Sequence, residues 1–102
     1  MDHGAASFSE QLNTKFSVKL DSAEPVELEL VDVVVRKSEP TEQAGMERFS
    51  TFFYGPNSFF LPQQTYELVH PEMGELQLFL VPITQDSRGF KYEAVFNLFK
   101  GD

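Results

Sequence analysis

The chain has no cysteine, no tryptophan, only two histidines, and half as many basic as acidic residues, 8 against 16 in a length of 102. Zero Cys removes disulfides, thiolate nucleophiles and zinc sites built on thiolates. A metal centre built on His3 and His70 would need carboxylates to complete it, and His3 lies in the terminus, so neither a metal nor another cofactor is expected. The net charge of -8 repels phosphate backbones, which argues against nucleic acid and anionic membrane surfaces as partners. Solubility alone accounts for a charge of that size. No stretch approaches the roughly 18 to 20 apolar residues of a membrane-spanning helix. The start MDHGAASFSEQ has neither a basic n-region nor an apolar h-region, so a cytoplasmic location is the default.

Common catalytic signatures are also missing. There is no GxGxxG, no GxxxxGK[ST], no GxSxG and no HExxH, which excludes the families built on those spacings but not a site assembled from distant residues.

What remains is apolar and patterned: a 41% hydrophobic share with eleven Phe and three Tyr, enough for one core in a single domain spanning 1–102. Residues 1–6 are expected to be disordered. Ser7 and Glu10 in SFSEQL have capping-box spacing, which predicts one short N-terminal helix from Phe8 to about Leu12, with those two side chains on one face plugging the core. From there the period is two. KFSVKLD, EPVELELVDVVVRK, ERFSTFFYG, TYELVH, ELQLFLVP and FKYEAVFNLF each alternate apolar with polar residues, giving six strands. In the second, the apolar set changes face after Leu30, which is accounted for by a bulge near Val31 or Asp32 or by a strand covered on both sides. SEPTEQAGM, PNSFFLPQQ, PEMG and TQDSRG read as connections, the first of them the most mobile. The expected fold is all-β and mainly antiparallel: a small six-stranded barrel or sandwich with one helix.

Three functional readings follow from the residues. The first is a non-enzymatic protein-protein interaction or assembly domain. Phe52, Phe53, Tyr54, Phe59 and Phe60 fall within nine residues, more than a two-faced strand can turn into one core. Phe52, Tyr54, Phe59, Phe60 and Phe79 therefore form the candidate interaction patch, extended by Val81, Val95 and Phe99 on the off-core faces of the last strands, with another subunit or another protein as partner. The second is a barrel holding a small apolar ligand. The third is an enzyme using the carboxylate pairs Glu27 with Glu29 or Glu67 with Glu75, or using His70 near Tyr66. Tyr66 and His70 share a strand face but stand about 13 Å apart at roughly 3.3 Å per residue, so they cannot bond to each other. His70 reads more simply as the end of a strand before Pro71, a position where glutamine would cost little stability.

LPQQTYELVHPEMGELQLFLVP followed by KYEAVFN, with the upstream FSEQLNTKF and ERFSTFFYGP, resembles a family of small bacterial domains of unknown function. Gln64 stands where the family pattern has Gly. The resemblance spans about Phe8 to Asn97 and implies a small β-rich fold. It brings no catalytic residues, and its relatives' proximity to phage-tail-collar-like genes implies a structural or assembly role.

Overall fold

Period-two patterning becomes six antiparallel strands that close on themselves. The computed structural model describes residues 4–21, 24–36 and 46–99, with the backbone only at 46, 47, 98 and 99. The elements are α1 (Ala5–Ser9), β1 (Lys15–Lys19), β2 (Val26–Arg36), β3 (Met46–Gly55), β4 (Gln64–His70), β5 (Gly74–Asp86) and β6 (Gly89–Phe99). Their order round the barrel is β1-β2-β3-β6-β5-β4. The seam is the β1–β4 ladder, where Val18 faces Leu68. Closure leaves no row of unpaired backbone groups along the middle of the wall, the liability of an open sheet.

The interior is filled by the inward set of each strand. Phe16, Val18, Leu28, Leu30, Phe49, Phe53, Leu68, Leu80 and Tyr92 are essentially inaccessible. Phe16 meets Phe53 edge-on at 5.4 Å between ring centroids, and Phe49 stacks on Phe96 at 4.6 Å. The register of β2 against β3 shifts between Leu30 and Asp32, so of the two readings of the change of apolar face the bulge is the one that holds. Beyond it, β2, β3 and β6 run on as a three-stranded extension of the wall.

Three expectations are corrected. The helix lies three residues earlier than Phe8–Leu12, and its N-cap is Gly4 with no side-chain capping bond, so Ser7 sits inside the helix. Burial of Phe8 decides this: its ring has no exposure and contacts Phe16, Phe49 and Phe96. Past Ser9 the chain tightens into turns, and Asn13 at φ 69° reverses its direction. Leu12 is thereby left exposed and does not share the face of Phe8. Order also begins before the expected 1–6 boundary, since Ala5 is buried and helical; residues 1–3 lie outside the described residues. Finally, β5 continues past Pro82 to Asp86, so TQDSRG is largely strand. Pairing with β4 ends at Leu80, and a register shift between Pro82 and Thr84 accommodates a residue that cannot donate to the ladder. Most of SEPTEQAGM, expected to be the most mobile loop, lies outside the described residues. Among the described residues no helix is long and apolar enough to cross a membrane.

Candidate functional site

Alternation turns the even residues of β3 and the odd residues of β6 outward. Asp32 on β2 pairs with Phe52 on β3, which pairs with Glu93 on β6, which pairs with Val81 on β5. These four make one row across the outer wall. Val34, Ser50 and Val95 make the next. Phe79 and Val95 each lie two residues beyond the Val81–Glu93 pair on the same outer face, and they are 50% and 48% exposed. Charge is stitched over this wall. Arg36 donates to Ser50 Oγ at 2.8 Å and pairs with Glu93 at 3.2 Å, and the Lys91 ammonium stands 5.2 Å from the Phe52 ring centroid. Ser50 is thus a small outward residue buried beneath a guanidinium.

The patch proposed from the sequence divides into three places. Phe52 and Phe79 belong to the outer wall, together with Val81 and Val95. Tyr54 turns instead into a polar cleft of about 310 Å³ lined by Lys15, Glu27, Glu29 and Arg88. Phe59 and Phe60 are exposed in the β3–β4 connection, where Phe60 packs edge-on against Phe90 at 5.2 Å. In that connection it is Leu61 that enters the core, and its N–H donates to the Tyr92 hydroxyl at 2.9 Å. Burial pushes the Tyr92 hydroxyl pKa above its usual value, against the opposing pull of that bond. The side chain of Phe99 lies outside the described residues.

In the cleft, the Tyr54 hydroxyl donates to Asp86 Oδ2 at 2.7 Å. That bond raises the Tyr54 pKa and lowers that of Asp86, whose other oxygen accepts from Arg88 N at 2.9 Å. The Arg88 guanidinium lies 4.7 Å from the Tyr54 ring centroid and 3.6 Å from Glu29. Both carboxylate pairs named from the sequence are gathered in clefts: Glu27 and Glu29 here, and Glu67 and Glu75 with Lys19 in a second of about 200 Å³. Each cleft holds a cation among its carboxylates, with Lys19 at 3.8 Å from Glu75. The arrangement is that of solvated ion pairs, not of two carboxyls facing across a free gap. Among the described residues no group of three or more His, Asp or Glu side chains is placed to hold a metal ion.

His70 is the residue the sequence undervalued. It is 3% exposed, its ring lies 4.3 Å from that of Phe16, and every ring nitrogen is engaged. Nδ1 accepts the N–H groups of Glu72 at 3.0 Å and Met73 at 3.2 Å, in the turn that follows it. That makes Nε2 the protonated nitrogen, 2.8 Å from Thr14 Oγ1, whose own hydrogen goes to the Gln11 carbonyl at 2.6 Å. One imidazole therefore clamps the β4–β5 turn to the segment joining α1 and β1. Burial lowers its pKa, opposed by the charge of Glu72. The Asn-like spacing of an acceptor two residues before a turn amide was a legible signal; the bond to Thr14, 56 residues away, was not.

The chain belongs to the family described as a domain of unknown function, DUF6916, which matches residues 3–96. No curated protein and no solved structure matches it.

Proposed function

We propose that this member of the DUF6916 family is a non-enzymatic assembly module whose outer wall makes contacts with protein. The observation that carries this reading is the apolar wall itself. Phe79 and Val95 stand about half exposed beside Val81 and Phe52, on rigid paired strands and not on loops. Exposed apolar groups held on a rigid face within a polar rim are the anatomy of a contact surface. The rim is present as Arg36, Glu93 and Lys91. The interior supports the same direction, because its own aromatic rings occupy the space an apolar ligand would need. A net charge of -8 favours a protein partner over nucleic acid or an anionic membrane.

The test is light scattering after size exclusion, over a range of concentrations, on the natural chain and on a Phe79→Ser, Val95→Thr variant. The natural chain is expected to exceed monomer mass, and the variant to reach the natural chain's mass only at about tenfold or more concentration, the cost of losing a buried aromatic anchor. Equal masses for the two at every concentration would remove the wall from the account.

A further inference from the structure

Among the described residues, the extension of the wall beyond the bulge leaves one strand edge without a neighbouring strand. β1 pairs with β2 only from Val26 to Glu29, and the last bonds on that side join Leu30 to the segment before β1, with Asn13 N to Leu30 O at 2.7 Å and Leu30 N to Thr14 O at 3.1 Å. From Val31 to Arg36, among the described residues, β2 is paired by β3 alone. Leu30 directs its backbone groups away from β3, so its pairing with Phe53 is of the non-hydrogen-bonded kind, and alternation makes Asp32–Phe52 and Val34–Ser50 the bonded pairs. The groups of Val33 and Val35 therefore face this edge. The edge is long for one that no described residue pairs with; Val34 is 42% and Val35 64% exposed, while Val33 is half-buried against the core.

The segment Val31-Asp32-Val33-Val34-Val35-Arg36 is complementary to itself when run antiparallel. With Val34 on a two-fold axis, Val33 lies opposite Val35 of the second copy, and Asp32 lies opposite Arg36. Both members of each pair are on the same face, because residues two and four apart share a face. Val33 and Val35 are also the residues whose backbone groups point outward, so the pair that meets is the pair able to exchange bonds. We propose that β2 is a self-pairing edge, which joins two copies of this chain into one continuous sheet through Val33 and Val35 and sets the register by the Asp32–Arg36 charges. The partner is a second copy, and the contact is an isologous one. It goes beyond the outer-wall reading, since it lies at the strand edge and needs neither Phe79 nor Val95.

For that reason the edge is tested in the Phe79→Ser, Val95→Thr background. Asp32→Arg sets Arg against Arg36 across the axis, and Arg36→Glu sets Glu against Asp32; each is expected to give a monomer by sedimentation velocity, while circular dichroism confirms the fold. Mixed in equal amounts, the two variants match Arg with Glu and Arg with Asp, and dimer mass is expected to return. In the parent, hydrogen exchange at the Val33 and Val35 amides should slow as concentration rises. A parent that stays monomeric at all concentrations overturns the edge, whatever the wall does. A dimer that neither charge reversal weakens, with exchange at Val33 and Val35 independent of concentration, overturns it equally and places the contact on a surface other than this edge.

Discussion

His70 is where a single side chain departs most from what its neighbours suggest. Beside Pro71 it reads as the end of a strand, and β4 does end there, but it is also a buried acceptor for two turn amides and a donor to Thr14. Glutamine reaches toward Thr14 but offers no acceptor where Nδ1 stands, so His70→Gln is expected to cost about 1–3 kcal/mol, read from urea unfolding. The small cost that the sequence alone suggests is thereby replaced. The same geometry sets a pH dependence. A proton on Nδ1 would face two N–H donors, the native pKa is depressed, and the unfolded chain therefore binds the proton first. Stability is fully present above the unfolded value of about 6.5 and declines as pH falls from there toward the native pKa. Unfolding midpoints measured between pH 8 and pH 5 should fall across that window, and the part of the slope due to this ring should vanish in His70→Gln.

At the scale of elements, the hairpins show how a turn is specified. Gly74 closes the β4–β5 turn at φ 76°, and a Cβ built there meets nothing within 4 Å. Gly89 follows the β5–β6 turn at φ 147°, and a Cβ there would come to 2.0 Å from the Gly55 carbonyl oxygen. Gly74→Ala should cost about 1–2 kcal/mol, the penalty of a left-handed conformation alone. Gly89→Ala adds a backbone collision and should cost clearly more; thermal melts of the two variants side by side decide it. Period-two alternation made the six strands legible, though not the run of β5 past Pro82, and offered the bulge after Leu30 as one of two readings, because one buried face forces one register. The helix was misplaced because Ser7 and Glu10 supply a local capping pattern, while the burial of Phe8 among three distant rings outweighs a capping bond. The Phe59-Phe60-Leu61 run shows the same limit: nothing local says that the leucine, not the aromatics, enters the core.

For the whole molecule the decisive contact is the seam between β1 and β4, residues some fifty apart in sequence, as Val18 opposite Leu68. Both side chains are fully buried. Val18→Ala and Leu68→Ala share one site, so their costs are expected to be non-additive, with a coupling of about 0.5–3 kcal/mol in a double-mutant cycle. An open sheet with an independent β1 would give additive costs instead.

The sequence by itself determined the class of this protein: six amphipathic strands, one short helix, one core, and a chemistry without thiols or the familiar catalytic spacings. Those properties follow from composition and period, which each residue carries locally. Only the tertiary structure decided that the sheet closes at β1–β4, that Tyr54 leaves the aromatic patch for a cleft with Asp86 and Arg88, that Glu67 and Glu75 gather round Lys19, and that His70 is a clamp. Each of these depends on which strands become neighbours. Alternation says which face a residue takes, but pairing says what it meets there.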